Sequence, residues 1–155
     1  MAAAVLAILW YTMGDNKSTG PGIGPEGVTI NANDPKQVKM GRKVYAGQCA
    51  SCHGVNLEGQ PGWKERGADG RLPAPPHDAS GHTWHHPDEL LYAVTKYGSA
   101  VVTGQPVETD MPIFNGILGD REIAAALAYI KSTWPEDIRA QHDALNERAR
   151  EAAQK

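Results

Sequence analysis

Apolar side chains recur at helical spacing in three parts of the chain. The first helix is predicted to begin at the Asp-Pro pair at 34–35, an N-cap residue followed by proline at the first helical position. The second is predicted over residues 87–97, and the third from Asp120, as its N-cap, to a stop at Pro135. Gly and Pro are frequent in the segments between these three helices, so strands are poorly supported there. The pattern therefore predicts an all-α fold. The recurring positions are Val38, Gly41, Val44 and Tyr45, then Leu90, Leu91 and Val94, then Ile123, Leu127, Ile130 and Trp134.

The N-terminal residues differ in composition from the helical region. Residues 1–14 are almost wholly apolar and include Trp10 and Tyr11, residue types that favour a membrane surface. The run of residues 1–13 is shorter than the roughly 20 residues of a full span and lacks the basic leader and cleavage pattern of a signal peptide. We expect the outer part of a membrane anchor with an upstream part outside this sequence, or alternatively an unusual uncleaved signal segment. Residues 15–33, rich in Gly, Pro and Asn, are predicted to be a flexible tether.

After the central region, residues 34–134, the chain ends in a charged, helix-prone tail at residues 135–155. Its apolar stripe is thin, so this helix either packs lightly on the domain or docks a partner, and His142 within it is expected to face solvent. The length of 155 residues allows one compact domain with tails. A net charge of −3 with neutral histidines argues against general nucleic-acid binding and favours a role in steering protein partners.

The most specific motif is Cys49-Ala50-Ser51-Cys52-His53. A Cys-x-x-Cys-His run is the attachment signature of a c-type haem, because both sulfurs project from one helical turn and the histidine follows beneath the ring. A thioredoxin-like redox pair, half a zinc site and a local disulfide are the alternatives. The chain has no other cysteine to complete a zinc site and no βαβ pattern around the motif, so the haem interpretation is favoured.

A second iron ligand is expected at Met111, in Asp110-Met111-Pro112-Ile113-Phe114. A methionine thioether pairs with histidine in cytochromes c, and Pro112 biases the preceding backbone towards an extended conformation suited to a ligand loop. The alternative is that Met111 only fills the core.

The region from about residue 34 to 134 resembles a class I, monohaem cytochrome c domain of the membrane-anchored bacterial type. The resemblance lies in the haem motif and in three further segments that follow the family's order and approximate separations. These segments are Gly41-Arg42-Lys43-Val44-Tyr45, Met111-Pro112-Ile113-Phe114 and Leu127-Ala128-Tyr129-Ile130-Lys131-Ser132. The resemblance implies an all-α fold around one haem c, covalently bound through Cys49 and Cys52, with His53 and Met111 as the axial ligands. It also implies that the first and last core helices cross where Gly41 meets Tyr129.

The resemblance further suggests which residues surround the haem. In Ala74-Pro75-Pro76, a proline carbonyl is expected to accept the proton of His53; Pro75 is favoured over Pro76, and a merely stiffened loop is the alternative. Arg71, Trp63 and Trp84 are candidates for hydrogen bonds to the haem propionates, although Arg71 is equally compatible with a solvated surface charge.

A histidine-rich run, Gly81 to Asp88, is the remaining candidate for metal chemistry. Such clusters can bind zinc or copper, and a histidine could replace Met111 as sixth ligand. Pro87 directly after His86 instead favours a helix entry. The histidines concerned are His77, His82, His85 and His86.

The resemblance implies one-electron transfer without catalysis, since two protein ligands leave no open iron position. We expect a tethered carrier on the periplasmic side of the bacterial inner membrane, exchanging electrons with respiratory or photosynthetic membrane complexes. A fixed electron-transfer subunit of a larger membrane oxidoreductase is the main alternative. A haem enzyme or ligand sensor with a labile sixth ligand is the third.

Overall fold

A computed structural model describes residues 27–155, and among these the fold is helical, with no strand and with an isolated bridge between Asn115 and Leu118. The helices are α1 (Pro35–Gln48), α2 (Ala50–His53), α3 (Asp88–Tyr97), α4 (Ala100–Thr103), α5 (Asp120–Ser132) and α6 (Glu136–Ala153), with a 3₁₀ turn at Thr83–His85. The all-α prediction is confirmed. No helix in residues 27–155 is both long and apolar enough to cross a membrane. The predicted anchor, residues 1–14, lies outside the described residues.

The core forms where α1 crosses α5, and the predicted crossing at Gly41 and Tyr129 is confirmed. A Cβ atom built on Gly41 would lie 1.8 Å from the Ala125 carbonyl oxygen and 2.9 Å from the Tyr129 Cβ. The rings of Tyr45 and Tyr129 pack together one turn further along, with centroids 5.4 Å apart. Only glycine therefore allows the two backbones to approach this closely. The buried core comprises Tyr45, Ala50, Leu57, Tyr92, Phe114, Ile123, Leu127, Ile130 and Trp134.

The helix starts follow the sequence pattern with one correction. The Asp34 carboxylate accepts a hydrogen bond from the Lys36 N–H at 2.9 Å, as expected of the α1 N-cap. The prediction that Asp120 caps α5 is wrong: Gly119 is the N-cap and Asp120 is the first helical residue. The Asp120 carboxylate instead pairs with the buried Lys96 ammonium of α3. That partner lies in another helix, which a local capping pattern does not reveal.

The predicted tether, residues 15–33, is described only from residue 27, and its last residues contact the core. Val28 and Ile30 pack against the core. The Gln37 side chain bridges this segment to α1: its Nε2 donates to the Thr29 carbonyl and its Oε1 accepts from the Asn31 N–H, both at 2.7 Å. Side-chain hydrogen bonds thus fix the end of a segment that composition marks as loop.

The C-terminal helix α6 packs on the domain through polar residues, and the expectation that His142 faces solvent is wrong. His142 is fully buried, with its Nε2 2.9 Å from the His86 carbonyl and its ring edge-on to Trp134. Asn146, one turn later, accepts from the Asp88 N–H at 2.7 Å and donates to the Asp88 carboxylate at 2.9 Å. Asn146 thus caps α3, whose N-cap position is held by a proline without a capping side chain.

Candidate functional site

The Cys-x-x-Cys-His motif forms the short helix α2, with Cys49 as its N-cap directly after α1. The Cys49 carbonyl accepts hydrogen bonds from the N–H groups of Cys52 and His53, at 3.1 and 2.9 Å. Cys49 is half-buried and Cys52 is exposed, and their two sulfurs are not joined in a disulfide. This is the turn that directs positions i and i+3 to one side.

The electrostatics of Cys49 disfavour a thioredoxin-like redox pair. Burial, together with the neighbouring Cys52, raises the pKa of the Cys49 thiol to about 11. Reactive cysteine pairs require a lowered thiol pKa, because the thiolate is the nucleophile. A zinc site is equally unsupported, since residues 27–155 contain no group of three or more His, Cys, Asp or Glu side chains placed to hold a metal ion.

His53 is buried and hydrogen-bonded in the way that an iron-binding histidine requires. Its Nδ1 lies 2.9 Å from the carbonyl oxygen of Pro75, the proline favoured in the sequence. A carbonyl only accepts, so Nδ1 carries the proton and Nε2 keeps its lone pair for a metal. Burial lowers the pKa of His53, and the bond to Pro75 partly offsets this effect. The lowered pKa keeps the ring neutral and therefore able to bind metal.

The turn after His53 is fixed from α1. The Tyr45 hydroxyl donates to the Gly54 carbonyl at 2.8 Å, and burial raises the pKa of Tyr45. Gly54 has a φ of 82°, a backbone conformation that glycine adopts without strain. The sequence pattern identified Tyr45 as a core residue but not as a donor to this turn.

Two parts of the chain contact the segment that carries Met111. The Arg71 guanidinium pairs with the Asp110 carboxylate at 2.5 Å and with Glu108 at 3.5 Å; Asp110, then Glu108, raise the pKa of Arg71. Phe114 and Asn115 donate backbone hydrogen bonds to the last turn of α3, at 3.2 and 2.9 Å. Met111 itself is half-buried and packs against the core.

The predicted propionate contacts of Arg71 and Trp84 stay predictions, and the structure gives both side chains partners within the chain. Arg71 is bound to the Met111 segment, as described above. The Trp84 indole N–H donates to the Ala79 carbonyl at 3.4 Å, and its ring stacks on His85 at 3.7 Å. Trp63 stacks on His82 with centroids 5.3 Å apart.

The histidine-rich run therefore packs against aromatic rings and backbone. His86 meets His82 edge to face at 5.4 Å, and its carbonyl contacts His142. His77 lies face to face with His53, with centroids 4.0 Å apart and ring planes 24° apart. Two imidazoles on opposite faces of a haem would lie end to end, so this stacking is incompatible with His77 as the sixth ligand. In the sequence, the indication of this stacking is that His77 directly follows Pro75 and Pro76, the prolines expected to contact His53.

Exposed apolar side chains concentrate on the stretch of chain that carries Met111. Five of them lie on the stretch from α4 to the start of α5 and are 37–58% exposed: Val101, Val102, Val107, Ile113 and Ile117. Val55, two residues after His53, is 72% exposed. An apolar prosthetic group beside the motif would cover such surface, which an isolated chain would leave in water. The cysteine thiols, the oriented His53 and this apolar surface together provide the attachment, the ligand and the lining that a haem needs.

A comparison with protein families matches residues 38–134, more than half of the chain, to the family described as Cytochrome c. The chain belongs to the cytochrome c family. The cofactor of this cytochrome is haem c, bound covalently through Cys49 and Cys52, and the membership supports haem-based electron transfer. No curated protein and no solved structure matches the chain significantly. The helix α6 lies beyond the matched residues.

Proposed function

We propose that this cytochrome is a one-electron carrier whose iron is held by His53 and Met111. The observation that carries the proposal is the bond from His53 Nδ1 to the Pro75 carbonyl, because it leaves Nε2 as a metal-binding nitrogen directly beside both attachment cysteines. The haem supplies the reversible change of one electron at its iron. The protein fixes the ligand geometry, excludes water and sets the potential through ligand type and burial.

The support for Met111 is its position on a segment attached to the domain on both sides. Arg71 holds Asp110, directly before Met111, while Phe114 and Asn115, shortly after it, bind the end of α3. A segment attached in this way can present a thioether at a fixed depth, which preserves both iron bonds when the iron changes charge. Two retained ligands leave no position for a substrate, which is why we propose a carrier and no catalysis by this chain alone.

Replacing Met111 with Ala tests this ligation. The variant should become high-spin, bind carbon monoxide and show a lower reduction potential, because the thioether stabilises ferrous iron. Met40→Ala is the matched control: Met40 lies on α1 with 38% of its surface exposed, and its loss should leave the spectrum unchanged. A Met111→Ala protein with the wild-type low-spin spectrum would contradict the assignment.

We further propose that the carrier is tethered to the periplasmic side of the bacterial inner membrane and exchanges electrons with membrane redox complexes. The apolar run at residues 1–13 supports the anchor, and the Gly/Pro-rich residues 15–26 support a tether that raises the local concentration of the domain near its partners. Val5→Asp combined with Leu9→Asp should move the haem protein from the membrane to the soluble fraction. Recovery of the unaltered chain in the soluble fraction without detergent would contradict the anchor.

A fixed subunit of a larger oxidoreductase is the alternative that α6 raises. Its most buried residues, His142 and Asn146, contact the chain's own domain, which favours a structural helix over a docking helix and therefore a mobile carrier. Purification in mild detergent separates the two: a carrier elutes alone, whereas a fixed subunit retains stoichiometric partners.

A further inference from the structure

One short segment, Pro75 to His77, contacts His53 on two sides. The Pro75 carbonyl binds the ring nitrogen Nδ1 at 2.9 Å, and the His77 ring covers one face of the imidazole with its centroid 4.0 Å away. The first contact fixes the direction of the ring nitrogen. The second restricts rotation of the ring about that direction, a motion that a single hydrogen bond leaves free.

His77 is itself held at three points. Its backbone N–H donates to the Leu57 carbonyl and its carbonyl accepts from the Trp134 indole N–H, both at 2.8 Å. Its side chain contacts the buried Thr83 hydroxyl, with 2.7 Å between Nδ1 and Oγ1. The position of the stacked ring is therefore determined by residues from three separate parts of the chain.

The Thr83 hydroxyl also determines which nitrogen of His77 carries the proton. Thr83 Oγ1 lies 3.4 Å from the Pro76 carbonyl as well as 2.7 Å from His77 Nδ1. A hydroxyl has one proton and a carbonyl can only accept. Both contacts are satisfied only when Thr83 donates to Pro76 and the His77 Nδ1–H donates to Thr83.

We propose that His77 is a positioning residue for the axial ligand His53, and that Thr83 acts through it by fixing the stacked ring. This inference rests on the proposed function, in which His53 binds the iron. The orientation of an axial imidazole affects how it donates electrons to the metal, so neighbouring groups tune the potential of the centre. His77 and Thr83 thus affect the potential without touching the iron.

The experiment compares His77→Leu, Thr83→Val and the double variant as intact haem proteins. The readouts are the reduction potential and the anisotropy of the ferric electron paramagnetic resonance signal, which reports ligand orientation. Both single variants should shift the potential and alter the anisotropy. The double variant should match His77→Leu alone, because Thr83 acts through His77.

Two matched variants separate positioning from general stability. Met40→Ala, a substitution on α1 outside the His53 contacts described above, should leave both readouts at wild-type values. Thr83→Ser keeps the hydroxyl and should therefore give the wild-type potential and anisotropy. If His77→Leu does not fold, the comparison of Thr83→Ser with Thr83→Val tests the proposal by itself. A lower unfolding temperature with unchanged potential and anisotropy would overturn the proposal.

The failure of the proposed function gives a different result. If wild-type iron is not bound by His53, His53→Ala retains the wild-type low-spin spectrum, and the positioning role falls with it. If the wild type has His53/Met111 ligation but the His77 and Thr83 variants match it, only the positioning role is overturned.

Discussion

His53 and its neighbours show which residue-level features can be predicted from a sequence. The motif is recognised from its own spacing, whereas the favoured Pro75 and the Gly41 crossing were implied by the resemblance to cytochromes c. Both of these have the expected neighbour in the structure. The burial of His142 was missed because its partners, His86 and Asn146, lie in a loop and on the same polar-looking helix face. A polar residue is buried when distant partners satisfy it, and periodicity does not record such partners.

The buried His142 makes stability depend on pH. Burial, with a smaller contribution from Lys131, lowers the pKa of His142 from 6.5 to about 4. A lowered pKa means that its contribution is complete above pH 6.5 and is lost as the pH falls towards 4, because the unfolded chain binds the proton first. The groups facing His142 and its partners include Asp88, Lys131 and Asp143, and burial raises the pKa of Asp88 to about 6, which acts in the opposite direction.

Replacing His142 with Gln isolates its contribution, since Asp88 titrates in both proteins. Above the ordinary histidine pKa, we expect a loss of about 2 kcal/mol in unfolding free energy from the disrupted hydrogen bonds. Between pH 6.5 and 4 this deficit should shrink by up to about 1.4 kcal/mol per pH unit. Leu145→Ala, a substitution on α6 that involves no ionisable group, should lower the unfolding free energy by an amount that does not change with pH. Denaturant titrations across this range measure both, and a pH-independent deficit for His142→Gln would contradict the account.

At the scale of elements, the three core helices follow from the sequence because their apolar positions repeat and their starts carry local signals. α1 begins at the predicted Asp-Pro pair, and α3 occupies its predicted range to within a residue. The third core helix ends at Ser132 rather than directly before Pro135, and Trp134 reaches the core from the connection to α6. The connection between α4 and α5 has no periodic pattern in its sequence, so its path could not be predicted. Backbone bonds to the end of α3 and the ion pair to Arg71 determine that path instead.

Two glycines on α1 test the crossing of α1 and α5. Gly41→Ala should destabilise the protein by about 2 kcal/mol or more, because its Cβ would overlap the Ala125 carbonyl oxygen and force the helices apart. Gly47→Ala is the matched control on the same helix: nothing lies within 4 Å of its Cβ, so it should stabilise the protein by about 0.5–1 kcal/mol. Thermal and denaturant unfolding measure both variants. Equal effects of the two substitutions would contradict the close packing at Gly41.

At the scale of the whole molecule, the haem is expected to complete the fold. Exposed apolar side chains concentrate on the short helix α4 and on the connection from it to α5, which contains no helix and has little core of its own. The helices α1, α5 and α6, by contrast, are held together by contacts within the chain. We therefore expect α1, α5 and α6 to fold without the haem. We expect the connection from α4 to α5, which carries Met111, to become ordered only when the haem is bound.

Preventing haem attachment tests this division. Cys49→Ser combined with Cys52→Ser should lower the unfolding free energy by about 3 kcal/mol or more, since covering even two apolar side chains contributes about that amount. Amide hydrogen exchange should become fast in residues 98–118 while α5 stays protected. Equal protection of both regions in the apoprotein and the holoprotein would contradict a role for the cofactor in ordering the ligand segment.

The most direct test of the central claim is the optical spectrum of the ferric and ferrous wild-type protein, recorded with and without carbon monoxide. Ligation by His53 and Met111 predicts a low-spin spectrum, a weak red charge-transfer band from the sulfur–iron(III) bond and no response to carbon monoxide. A high-spin spectrum that shifts with carbon monoxide would show an open iron position, which contradicts a simple electron carrier and favours catalysis or ligand sensing.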